Sequence, residues 1–486
     1  MRAALAFLLG LLVASCSPSR DDRVLDIAVI GEGEELFDNT LRLGFAGQHV
    51  RAATTQGLVA VNEAGQVVPA IAERWIVTDD GASYIFRIRE FDLPDGSRLT
   101  AQTVRDSLRS TWARLGGTSL GLDLAQVRDI RAMTGRVVEI RLKSPMPGFL
   151  QLLAQPEMGI ALRGARTGPM GLRRSEGMAV LDALLPEQRG FPMQPGFEDG
   201  LVQLQLTATD AQDATSGFGD GRFDLVLGGK LASLPLADTG GLSRGTVRLD
   251  SAVGLFGLDV AASDGFLAVS ANREALSMAL DRANLLQRFN IAGWIPTTRI
   301  VAPGLPGDRG QVEERWAEMT LDERRARARG RVSSYAARTG GDVSLSVALA
   351  QGPGSDLLFD ELAGQLAGIG VTLTRAKAGT QADLVERDRL ARYGGARWFL
   401  NQFHCDVSPK VCSEDVDFLV DLAVDARDQA ESMSYLEEAE RTLASTNLFI
   451  PFGAPIRWSL VRGDVDGFAE NPWGIHPLFP LSRAPI

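Results

Sequence analysis

The chain has 486 residues, 45% of them apolar and 7% aromatic, with a formal net charge of −11, which leaves room for two or three domains with substantial cores. The negative balance argues against nucleic acid as a partner, because counterion release needs clustered Lys and Arg. Only His49, His404 and His476 offer imidazole chemistry, and no Gly-x-Ser-x-Gly, His-Glu-x-x-His or Walker loop occurs, so the chain does not read as an enzyme and no catalytic residue, metal or cofactor is assigned.

In chain order, Met1-Arg2 precedes an apolar run over 3–14 that is too short for a bilayer-spanning helix of ~20 residues. It reads as a secretory signal over residues 1–15. Val13-Ala14-Ser15-Cys16 forms a lipobox, which predicts cleavage before Cys16, a lipid on its sulfur and a polar tether over 16–22. An ordinary signal with an incidental cysteine is the alternative. The next run, RVLDIAVI over 23–30, predicts a first strand, and Gly31-Glu32-Gly33-Glu34 lacks the third glycine of a dinucleotide loop.

The segment 69–108 packs strand, turn, strand and capped helix. Tyr84, Phe86 and Ile88 alternate with polar neighbours, the period of a strand with one buried face. Thr100 stands at an N-cap before Val104, Leu108, Trp112 and Leu115 at helical spacing, with Leu99 and Val104 placed as a hydrophobic staple. Strands follow at Val138–Leu142, around Val202–Leu206 and at Phe223–Leu227. A helix is expected over Asn272–Arg288, and the run Glu323–Arg331 as a solvated helix face. Leu345, Val347 and Leu349, then Leu358 to Ile369, then Val371 and Leu373 predict a β-α-β unit with a parallel pair. A helix over Tyr435–Ser445 and a strand over Leu448–Phe452 close the series. With Cys16 given to lipid, Cys405 and Cys412 in an exported chain suggest a disulfide. A metal pair with His404 is the competing reading, although two thiols at that spacing match no zinc pattern.

The residues Pro69-Ala70-Ile71-Ala72-Glu73-x-Trp75, Asp79-Asp80-Gly81-x-x-Tyr84-x-Phe86-x-Ile88-Arg89 and Asp95-Gly96-x-x-Leu99-Thr100-Ala101-x-x-Val104-x-x-Ser107 resemble the signature of the family 5 extracytoplasmic solute-binding proteins of ABC transporters, the oligopeptide, dipeptide and nickel-binding group. Arg166-Thr167-Gly168-Pro169, Gly221-Arg222-Phe223-Asp224, Arg273-x-Ala275 through Ala279-Leu280-Asp281-Arg282, Leu366 to Val371 and Val465-Asp466-Gly467-Phe468 extend the likeness in order. Met170 stands where the family usually has an aromatic.

The resemblance implies an α/β chain of two lobes around a cleft, with an extra α+β domain inserted in lobe I. It divides the chain into lobe I at 23–58, 158–248 and 456–486, the insertion at 59–157 and lobe II at 249–455. It also implies a monomer, lipid-anchored in the periplasm, that captures peptides by hinge closure and delivers them to an ABC permease and ATPase complex. A periplasmic ligand sensor, or a binder of a nickel chelate, opine or sugar, is the alternative. The ligand-binding stretch it implies contains Trp398, Asn401, Gln402, His404 and Asp406, with Asp406 as partner of a peptide ammonium and Trp398 as cleft wall. A loop aspartate capping its own backbone and a core tryptophan are the competing readings. The family's Asp-Pro pair is here Asp406-Val407-Ser408-Pro409.

Overall fold

A computed structural model describes residues 24–90, 92, 96–161, 167–237, 245–306, 308, 310–377 and 380–483. The signal, Cys16 and the tether lie outside the described residues, as do Asp95 and Arg166 of the matched motifs.

The strand Val24–Ile30 is the middle of a seven-stranded sheet, running parallel to Gln203–Thr209 on one side and Leu225–Lys230 on the other. Ile27, Ala28 and Val29 are fully buried, as an unbroken apolar run requires of a strand covered on both faces. Met178–Ala183 and Met170–Ser175 extend one edge, and Arg457–Val461 and Val247–Asp250 the other.

A second, five-stranded sheet has the order Val371–Arg375, Val343–Ala348, Leu384–Leu390, Gly254–Val260, Phe449–Gly453. Its first two strands are parallel and joined through the helix Pro353–Ala367, the β-α-β unit expected from the periodicity. The chain passes between the two sheets twice, over residues 251–253 and 454–456.

Ala72–Val77, Ser83–Ile88, Val137–Leu142 and Val127–Thr134 form a separate antiparallel four-stranded sheet under the helix Ala101–Arg114. Thr100 caps that helix by accepting from the Thr103 N–H at 3.2 Å, and the Thr103 hydroxyl accepts from the Thr100 N–H at 3.0 Å. This reciprocal pair satisfies two donors that a bare helix end would leave open. The core under this sheet does not stop at its own strands. Phe86 and Phe149 share one buried cluster with Trp398, Phe399, Phe403 and Phe449.

Three expected elements change. The helix expected over Asn272–Arg288 is interrupted: Ser270–Ala279 and Arg282–Leu285 are separated by Leu280 in extended conformation. The Gln365 side chain accepts the Asp281 N–H at 2.7 Å and the Asp281 carboxylate caps Asn284, so contacts distant in sequence break a locally continuous pattern. The last long helix is Gln429–Thr446, started earlier by Asp428 capping Glu431 at 2.9 Å. The Arg-rich run belongs to Leu321–Thr339, but it is not simply a solvated face. Arg331 pairs with the buried Glu274 at 2.8 Å, Arg325 donates to the Ala279 carbonyl at 3.0 Å and Arg324 lies over the Trp316 ring.

Candidate functional site

Between the two sheets and the four-stranded unit lies a cleft of about 920 Å³. Helix Phe45–Thr54 contributes Phe45 and Gln48, the short helix Ser119–Leu124 contributes Leu120 and Asp123, and the end of strand Leu384–Leu390 contributes Arg389. Near the sheet crossings, Arg457 in one sheet and Asp388 in the other are paired at 2.7 Å and nearly buried. The start of helix Pro353–Ala367 meets the short helix Leu231–Ala237 through bare backbone. A Cβ on Gly354 would stand 2.0 Å from the Leu231 carbonyl oxygen, and one on Gly352 would stand 2.3 Å from that of Ala232.

The residues singled out from sequence divide here. Trp398 and Gln402 line the cleft, and Asp406 lines it with its side chain 75% exposed. Trp398 is 3% exposed and packs edge-on against Phe399, so it is cleft wall and core at once. Gln402 is held at both ends: its amide nitrogen donates to the Trp398 carbonyl at 3.1 Å, and its amide oxygen accepts from Arg389 at 3.0 Å.

Asn401 is 1% exposed and outside the cleft lining, donating to Asp123 Oδ1 at 2.7 Å. His404 also stays behind the wall, with Nδ1 accepting the Asp406 N–H at 3.1 Å. Cys405 and Cys412 are joined in a disulfide with Cα atoms 5.1 Å apart, so the thiols are not a ligand pair for His404. The bridge closes the loop between helices Ala396–Asn401 and Glu414–Val424.

Sequence reasoning missed the charged floor of the cleft. Arg392 donates to Gln48 at 2.9 Å, Gln155 at 3.1 Å and Glu157 at 2.9 Å, tying the segment after strand Leu384–Leu390 to the opposite wall. Asp123 is buried, with Oδ1 accepting from Tyr393 at 2.8 Å and from Asn401, while Oδ2 has no partner among the described residues. Burial raises its carboxyl from 3.8 to about 6, against the opposing pull of Arg397 and these two donors. The signal was present in Glu386-Arg387-Asp388-Arg389. Four successive charges inside a strand of an α/β sheet must each find a partner or face a cavity.

Residues 66–170 match the family model described as bacterial extracellular solute-binding proteins, family 5 middle. The chain is 30% identical over 129 residues to the probable deoxycholate-binding periplasmic protein YgiS of Escherichia coli (strain K12), covering 21% of this chain and 23% of that protein. The alignment thus spans about a quarter of that relative's length. Over the whole chain, the fold matches Haemophilus influenzae OppA in complex with RPPGFSPFR (TM-score 0.78, 16% identity, 96% of this chain and 100% of the other). It also matches the Escherichia coli murein tripeptide binding protein MppA (TM-score 0.76, 16% identity, 96% and 99%). The two-lobe periplasmic binding protein fold expected from the resemblance is therefore the observed one. Among the described residues, no helix is long and apolar enough to cross a membrane.

Proposed function

We propose that this chain is a family 5 extracellular solute-binding protein and the solute-capturing component of an ABC importer, taking peptides into its interlobe cleft. The observation that carries the reading is the cleft itself, lined from both sheets and spanned, among the described residues, by two chain crossings. Two short crossings permit hinge closure, and a ligand drives closure to the extent that it binds the closed state better than the open one.

In this reading lobe I comprises 23–58, 158–248 and 456–486, the insertion 59–157, and lobe II 249–455. Trp398, Gln402 and Asp406 contact ligand, while Asn401, His404 and the Cys405–Cys412 bridge position them. Asp406 would meet a peptide ammonium in an exposed setting, where such a pair contributes about 0.2–1 kcal/mol. The protein works as a monomer held to a membrane by lipid on Cys16, exposed to the periplasm and delivering peptide to a permease and ATPase complex. OppA, solved in complex with the peptide RPPGFSPFR, and the murein tripeptide binding protein MppA support the peptide class.

The test is native mass spectrometry with a random library of short peptides, coupled to solution scattering. Bound peptide with a smaller radius of gyration is expected. No bound peptide at millimolar library concentration refutes the peptide class, and binding without compaction refutes the hinge. For the anchor, wild-type protein should partition into detergent and Cys16→Ala should not.

A further inference from the structure

We propose a second site, outside the cleft, at which Arg189 and Arg483 receive a phosphate group while Arg89 adds positive charge behind them. It goes beyond the binding-protein reading, since none of the three residues lines the cleft.

Arg89 follows strand Ser83–Ile88 of the four-stranded sheet, and Arg189 ends the turn Glu187–Arg189 beyond strand Met178–Ala183 of the seven-stranded sheet. The Phe191 ring joins them, with the Arg89 guanidinium 3.7 Å and the Arg189 guanidinium 5.3 Å from its centroid. Arg189 also lies 4.4 Å from the centroid of Phe479, and Arg483 lies 5.2 Å from that of Phe197. Ring contacts of this kind hold a planar guanidinium by its face and leave the N–H edge for an oxyanion.

The cluster is buried as well as charged. Arg89 is 8% exposed and uses two nitrogens on carbonyl oxygens, that of Arg189 at 3.0 Å and that of Ala70. Arg189 is half-buried, and its Nε is shut off from solvent with no partner among the described residues. Its two terminal nitrogens make no hydrogen bond to described residues either, and they are the end that a ligand can reach.

Among the described residues no ion pair reaches Arg89, Arg189 or Arg483. Glu73, whose charge acts on Arg89, is shared between Arg87 at 2.7 Å and Arg136 at 3.2 Å. Burial lowers both Arg89 and Arg189 from 12.5 to about 10, and like charge adds to it, from Arg189 on Arg89 and from Arg483 on Arg189. Both stay charged at neutral pH, so the fold holds adjacent, poorly hydrated cations without a counter-charge. That repulsion is unfavourable in a weakly screened setting, and a bound anion offsets it. Phosphate suits the cluster better than a carboxylate. It brings a charge of about −1.5 to −2 at pH 7 and three acceptor oxygens, enough for two guanidinium forks. A free phosphate ester and a lipid headgroup share this chemistry.

Titration calorimetry and thermal shift separate the two sources by comparing inorganic phosphate with dihexanoyl phosphatidylglycerol below its micelle concentration. The proteins are wild type, Arg189→Gln, Arg189→Lys and Arg483→Gln, with sodium acetate and chloride at equal ionic strength as controls. Saturable binding of a phosphate compound is expected in wild type. Tighter binding of inorganic phosphate identifies a free ester, and tighter binding of phosphatidylglycerol a headgroup. Arg189→Gln should weaken binding about tenfold or more, and Arg189→Lys should keep part of it. Arg483→Gln, at an exposed position, should weaken binding as well and carries the test if Arg189→Gln fails to fold. Binding of neither phosphate compound overturns the inference, as does equally tight binding of acetate. Unchanged affinity in both glutamine variants also overturns it, because the phosphate then sits elsewhere, and the binding-protein reading stands in each of these cases.

Discussion

Asp123→Asn isolates the electrostatics of the buried wall, and its effect on stability has a calculable pH dependence. In the folded protein the carboxyl is raised from 3.8 to about 6 by burial. A raised carboxyl pKa means the native state holds its proton where the unfolded chain has released it, so stability falls as pH rises from 3.8 through 6. The difference is 6 − 3.8 = 2.2 pH units, or about 3 kcal/mol at 1.36 kcal/mol per unit. Between pH 4.5 and 7.5 about 2 kcal/mol of that is traversed.

Asparagine is uncharged throughout, and its amide oxygen can receive both donors now held by Oδ1, Tyr393 and Asn401. Its amide nitrogen replaces an oxygen that has no partner among the described residues, so a fixed offset in stability is also expected. The offset does not vary with pH. Urea unfolding of both proteins at half-unit pH steps gives the difference, in which every other titrating group cancels. Wild-type stability minus variant stability should drop by about 2 kcal/mol from pH 4.5 to 7.5. A flat difference would falsify the claim that Asp123 titrates out of a dry, folded environment.

Three further outcomes follow from the geometry. Arg392→Met leaves Glu157, whose side chain is 4% exposed, without its counter-charge; a loss of about 3 kcal/mol in denaturant unfolding is expected, and less than about 1 kcal/mol would show that the pair is solvated. Removing the Cys405–Cys412 bridge by a double Ser substitution opens a loop of roughly eight residues and should cost about 2.5 kcal/mol, with non-reducing peptide mapping of wild type showing one linked peptide and no alkylatable thiol. Gly354→Ala places a methyl 2.0 Å from the Leu231 carbonyl oxygen, where helix Pro353–Ala367 meets the short helix Leu231–Ala237. It should prop the lobes apart, seen as a larger radius of gyration with ligand and at least tenfold weaker binding, and unchanged scattering and affinity would remove that contact from the closing motion.

Much of the architecture was readable because its causes are local. Alternation at Tyr84, Phe86 and Ile88, the Thr100 cap and the β-α-β spacing over 343–375 are set by neighbours within a few residues, where side-chain period and capping donors decide the backbone. The break at Leu280 was not readable, since a glutamine 84 residues away accepts the Asp281 N–H. The placement of the stretch 398–406 in the cleft was half readable. Its aromatic and amide residues stood out, but which of them faces the cleft depends on how helix Ala396–Asn401 is rolled against the inserted unit. That roll puts Trp398 and Gln402 on the wall and sends Asn401 inward to Asp123.

Sequence alone located most strands and helices, suggested the Cys405–Cys412 disulfide that the structure holds, and argued through charge balance against nucleic acid. Tertiary structure decided which arginine is buried in an ion pair and which lines the cleft. Arg387 and Arg389 are identical in type, strand and face, and only the placement of Asp259 on the neighbouring strand, directly opposite Val385 and within 2.7 Å of Arg387, separates them. Pairing of charges is a property of three-dimensional distance in a poorly screened interior, and chain separation carries no information about it.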